Sequence, residues 1–228
     1  MMFAGHLAAG LALKQVDKRV NLGLLFFASL FADFLLGLFI LSGLEQVHVP
    51  TNFQEVHYLT FTFPYSHGLV ATVLWSFLAF VIGRQFWRAQ GKQSNRIGFV
   101  IGLAVFSHFL LDWIVHVPEM PLLGANSPKL GLGLWNHLTM ALIFEALLAL
   151  IGLVIYLGVV KPTRRVTRYG VPLLMVVVTL ATVSGQALND TPPPSTGAAL
   201  SWIIQPILLG GIAYWLDRKT GATQQRPN

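Results

Sequence analysis

The stretch IGFVIGLAVFSHFLLDWIVHV, residues 97–117, decides the fold. At ~1.5 Å per residue a helix of this stretch covers ~30 Å, the hydrocarbon thickness of a bilayer. It holds no Lys or Arg, yet it carries His108, Asp112 and His116. Steps of four advance only ~40° around a helix, so these three form one polar stripe. Phe109, Leu110, Leu111, Ile114 and Val115 cover the rest of the surface. An apolar span with one ionisable stripe belongs in a membrane, with the stripe turned to the interior of a bundle.

Outward from it, five further apolar stretches of spanning length lie at 21–43, 67–86, 137–160, 169–188 and 198–216. In lipid the backbone must satisfy itself, so stretches this uniformly apolar are helices. The predicted fold is all-α: a polytopic membrane bundle of six transmembrane helices and a short N-terminal half-helix or interfacial helix. Residues 1–228 form a single integral membrane domain. Within it, 1–160 bear the site and 161–228 supply two peripheral spans without chemistry. Gln186 and Gln205 in those spans are expected to bond neighbouring helices. Composition agrees: 54% of residues are hydrophobic and 11% charged, against ~25% charged in soluble domains. With Cys 0, disulfides and thiolate metal sites are excluded.

The basic residues set the orientation. Fourteen of the 15 Lys and Arg flank alternate loops and ends: Lys14, Lys18 and Arg19; Arg84 to Arg96; Lys161 to Arg168; and Arg218, Lys219 and Arg226. Only Lys129 lies in the other loops. The positive-inside rule makes the basic side cytoplasmic, with both termini there. The net charge of +6 is thus a topology signal, and no nucleic-acid partner is expected. The bilayer is the expected partner; oligomeric state is not legible. Residues 1–13 are too short to span. They either lie flat in the interface or rise from Lys14 into the bundle, which would carry His6 toward mid-bilayer.

Other ionisable groups sit at membrane depth. With ~1.5 Å per residue, Asp33 lies ~18 Å above the inner edge, His108 ~16 Å and Asp112 ~22 Å. Glu145 lies ~12 Å below the outer edge. His67, His116 and His137 fall at the outer rim. His and carboxylate without Cys suit Zn²⁺, with Mn²⁺ or Fe²⁺ acceptable. No Lys or Arg in spans one, three or four can neutralise the acids, so either a divalent metal or protons must. The loop residues Glu45, His48, Glu55 and His57 are expected to be solvated. Ser66 is expected to cap span two and so aim His67. The run Gly131-Leu132-Gly133-Leu134-Trp135 reads as a tight turn with Trp135 an interface anchor.

These residues, taken in order, resemble a known family. Gly5-His6, mid-helix Asp33, Tyr65-Ser66-His67, Ser107-His108 with Asp112, and His116 before Pro118-Glu119 look like the bacterial "membrane-bound metal-dependent hydrolase" family, over roughly residues 1–145. The ligand order is also similar, more distantly, to zinc-dependent phospholipase C and P1-type nucleases. The match breaks at the end, where Ala141 follows His137 and Glu145 comes a turn later. The resemblance implies an inner-membrane protein with a one- or two-metal site held by His6, Asp33, His67, His108 and Asp112. Glu145 or His116 would be the general base; the outer-half location and outward-facing loops suggest a lipid or lipid-linked substrate near the outer leaflet, a phosphoester first and an amide or ester second. Two other functions compete. One is a proton- or ion-coupled transporter or relay, disfavoured because no repeat or broken helix is visible. The other is an assembly protein whose polar groups serve only packing.

Overall fold

The computed structural model describes residues 3–218. Nine α-helices run through them: α1 (Phe3–Leu13), α2 (Leu22–Ser29), α3 (Phe31–Leu41), α4 (Phe53–Val56), α5 (Leu69–Phe86), α6 (Gln93–Val115), α7 (Leu138–Val160), α8 (Arg165–Leu188) and α9 (Ser195–Leu216). Five are long and apolar enough to cross a membrane, and α2 with α3, bent by 49° at their junction, passes the same test when taken as one span. The fold is the expected all-α polytopic bundle. Lys219 and Arg226 lie outside the described residues.

The bend is a departure from expectation. No Pro or Gly stands between Gly23 and Gly37, yet α2 ends at Ser29 and α3 begins at Phe31. At the break the Ser29 carbonyl accepts a 2.8 Å hydrogen bond from Nδ1 of His108 on α6. A histidine from another span has taken the carbonyl at the break.

α1 is the half-helix. Its carboxyl end is tied at the basic end of the bundle, where Lys14 Nζ donates to Val20 O at 2.8 Å and to Asp217 Oδ2 at 2.7 Å. Asp217 also accepts from Leu22 N at 2.8 Å and from the Tyr156 hydroxyl at 3.2 Å, so one carboxylate joins the ends of α1, α2, α7 and α9. From there α1 rises among α2, α6, α7 and α8 with nearly every residue buried.

α5 and α6 form a tight hairpin. A Cβ on Gly98 would meet Phe80 O at 2.5 Å, and one on Gly102 would meet Ser76 O at 2.7 Å. This small-xxx-small pair lets the backbones touch, and it fixes the helix that carries the polar stripe. α9 packs along both α2 and α3; neither α8 nor α9 places a side chain in the polar cluster described below.

At the end opposite the basic residues, two short antiparallel pairs cap the bundle: β1 (Gln46–His48) with β2 (Thr60–Thr62), and β3 (Met120–Pro121) with β4 (Lys129–Leu130). Phe61, Phe63 and Met120 of this cap join Leu36, Phe109 and Trp202 in one apolar cluster.

Candidate metal centre

Five elements deliver the polar residues. α1 brings His6, α3 brings Asp33, the turn before α5 brings His67, α6 brings His108 and Asp112, and its carboxyl-terminal cap brings His116. All six are at most 3% exposed. His67 Nε2 stands 3.1 Å from His108 Nε2, 3.3 Å from Asp112 Oδ2 and 3.7 Å from Asp33 Oδ1. His108 Nε2 is 3.1 Å from Asp112 Oδ2 and 3.6 Å from Asp33 Oδ1. His6 Nε2 meets the other oxygen of Asp112 at 3.1 Å, its ring stacked on His108 with centroids 3.8 Å apart. His116 Nε2 lies at the edge, 3.7 Å from Asp112 Oδ2.

The outer ring nitrogens settle the tautomers. A carbonyl only accepts, so His108 donates from Nδ1 to Ser29 and presents a lone pair at Nε2. The Ser66 hydroxyl donates to Glu45 Oε2 at 2.6 Å, so it accepts from His67 Nδ1 at 2.8 Å. His116 Nδ1 donates to Glu119 Oε1 at 2.6 Å, and Glu119 Oε2 accepts from Phe61 N at 2.7 Å. With Nδ1 the outward donor, the three rings turn their Nε2 atoms toward the two carboxylates, and in the neutral ring each such Nε2 offers a lone pair. Outer partners of this kind, holding the far nitrogen of each ring, are what metal-ligating histidines use. Asp33 Oδ2 and His6 Nδ1 are buried with no hydrogen-bond partner among the described residues. Among the described residues, the only basic side chains within 4 Å of the Asp33 and Asp112 carboxylates are histidines. Two His/Asp triads able to coordinate a metal result: His6, His108 and Asp112, and Asp33, His67 and His108.

Several expectations need correcting. Glu45 is not solvated. It is buried, and its Oε1 accepts from Tyr65 N at 2.8 Å and Ser66 N at 2.9 Å, while burial pushes its carboxyl above the usual range. Ser66 does not cap α5; Gly68 holds that position without a side-chain cap. Ser66 still aims His67, but through Glu45. Trp135 is no interface anchor: it is buried, its ring centroid 4.1 Å from that of His116. The glycine run is a tight turn, with Gly131 at φ 149° seated against the carbonyls of His116 and Val117, and Gly133 N donating to His116 O at 2.8 Å. His137 is exposed and stays outside the cluster. Glu145 is buried on α7, where its Oε1 accepts from Ala4 N at 2.8 Å in the first turn of α1. Gln205 is exposed.

Glu45 and Glu119 were not legible as site residues. Glu119 gave a faint signal, three positions after His116 beside Pro118, a spacing from which a short turn can return a carboxylate to the ring. No protein-family model, curated protein or solved structure matches the chain.

Proposed function

We propose that the chain is a membrane-embedded metal-dependent hydrolase. Its substrate is a lipid or lipid-linked compound of the outer leaflet, cleaved at a phosphoester or, second, at a carboxylic ester or amide. Asp33, His67, His108 and Asp112 hold the ion, with His6 beside them on Asp112. One observation carries this reading. Donor atoms around a tetrahedral ion at ~2.1 Å stand ~3.4 Å apart, and the five separations quoted above among His67 Nε2, His108 Nε2, Asp33 Oδ1 and Asp112 Oδ2 run from 3.1 to 3.7 Å. Zn²⁺ suits this nitrogen and oxygen set; Mn²⁺ and Fe²⁺ accept the same donors. Such an ion, when bound, supplies Lewis acidity toward a phosphoryl or carbonyl oxygen and acidifies water.

The protein's own groups do the rest. Glu119 holds His116 with Nδ1 protonated, so Nε2 is free to take a proton as general base at the edge of the cluster. Glu145, the other candidate base, holds the Ala4 amide; through that bond it positions α1 and hence His6. Phe61, Phe63 and Trp135 pack on His116 and keep bulk water away. The clustering of basic residues supports a cytoplasmic Lys14–Asp217 end in a bacterial inner membrane, with the site in the outer half.

Reconstituted protein offered vesicles of mixed phospholipids and acylglycerols, with products read by mass spectrometry, tests the reading. Hydrolysis should be lost to a chelator, restored by Zn²⁺ or Mn²⁺, and lost in His116→Ala with the metal retained. Metal-loaded protein that releases nothing from any lipid contradicts it. A relay gains one supporting observation, the break in the first span, since transporters build sites at discontinuous helices. Chelator-insensitive proton flux into vesicles would mark that outcome.

A further inference from the structure

We infer that a cavity of about 190 Å³ at the strand-bearing end of the bundle seats the uncharged polar head of the amphiphile on which the cluster acts. This rests on the hydrolase reading. The cavity adjoins the site through one layer of rings. Phe61 and Trp135 line it, and the centroids of the same two rings lie 5.9 and 4.1 Å from that of His116. A cavity of this size suits a small polar head, with the acyl chain left in the bilayer. An opening exists on that side, because Gly185 and Asn189 of the lining are exposed at the end of α8.

The lining chemistry selects the head. Phe61, Trp135 and Trp202 offer ring faces, and Gln186 and Asn189 offer amides that can both donate to and accept from hydroxyls. His57 also lines it, and its buried Nδ1 has no hydrogen-bond partner among the described residues, a ring nitrogen that a hydroxyl can engage. Among the described residues no Lys, Arg, Asp or Glu lines the cavity to pair with a charged head. Any phosphate of the substrate belongs at the metal cluster, and the neutral alcohol beyond it belongs in this cavity.

The test uses full-length protein in nanodiscs and two photoactivatable probes with one acyl chain, a monoacylglycerol and the corresponding acylglycerol phosphate. A Cβ on Gly185 meets open space, so Gly185→Trp fills the cavity and Gly185→Ala is the control. The monoacylglycerol should label residues 182–202 in wild type and Gly185→Ala, falling at least about tenfold in Gly185→Trp. Gln186→Leu, which removes an amide without filling the space, should weaken labelling too. Equal labelling in Gly185→Trp overturns the inference; labelling of that segment by the acylglycerol phosphate, its glycerol seated here and its phosphate at the cluster, supports it. Metal content measured on the same samples separates the two readings. Metal retained with Gly185-independent labelling sinks the cavity alone. Gly185-dependent labelling without metal sinks the hydrolase and leaves the cavity as a binding site.

Discussion

Replacing Ser66 by Ala should weaken metal binding without removing a ligand. The Ser66 hydroxyl is the middle of a chain in which Glu45 accepts at 2.6 Å and His67 Nδ1 donates at 2.8 Å. Its loss leaves a buried Nδ1–H without an acceptor, a penalty of ~1–3 kcal/mol. The ring can then escape by moving its proton to Nε2 or by turning, and either movement takes the lone pair off the cluster. Loss of such an outer partner costs metal affinity ~10–100-fold, or about 1.4–2.7 kcal/mol. The assay is competition of detergent-purified protein against a chromogenic chelator for Zn²⁺. The control is Ser107→Ala, one residue from His108, whose hydroxyl only bonds back to Ala104 O at 2.7 Å; it should stay within about twofold of wild type. Ser66→Ala within twofold of wild type, or Ser107→Ala falling equally, refutes the tautomer reasoning.

Other outcomes follow from the same contacts. Asp217→Ala strips buried Lys14, Leu22 N and Tyr156 of a shared acceptor and should cost ~3 kcal/mol, seen as an earlier unfolding transition in detergent. Gly152→Ala places a Cβ 2.6 Å from Ala8 O, pushing α1 and its His6 outward; it should destabilise by ~1–3 kcal/mol. Gly158→Ala on the same helix meets nothing and should be neutral or slightly stabilising. Burial raises the Glu45 carboxyl above its ordinary value of 4.5, so the folded chain keeps a proton the unfolded chain has released. Stability should then fall as pH rises from that value through the raised one. Thermal unfolding of metal-free Glu45→Gln across that window should show a flatter slope; equal slopes would contradict this.

The spans were legible because lipid tolerates no interruption of apolar surface, and each of the five long helices α5 to α9 starts and ends within a few residues of the stretch that announced it. The cluster was legible for a related reason. Ionisable groups are costly at membrane depth, and a rise of ~1.5 Å per residue put Asp33, His108 and Asp112 at nearly one height. His6 needed a choice between two placements of α1, and α1 lies inside the bundle with His6 against Asp112. What could not be read depends on partners distant in the chain. The break at Leu30 follows no local breaker; it accompanies His108 on another helix. Glu45 is at the end of an exposed turn and looks solvated until residues 65 and 66 fold back onto it. Trp135 has the composition of an interface anchor, but Gly131 lets its turn close onto His116. Glu145 is on α7, and its carboxylate meets the amide end of α1. Depth alone does not say which neighbour a side chain faces.

The most direct test of the central claim is metal content by elemental analysis of detergent-purified protein, wild type beside a His108→Ala/Asp112→Ala double variant. Near-stoichiometric Zn, Mn or Fe in wild type that vanishes in a folded double variant is the predicted result. Folded wild type without metal, even after incubation with Zn²⁺ or Mn²⁺, would contradict the metal centre and leave the buried His/Asp cluster to a relay or to packing.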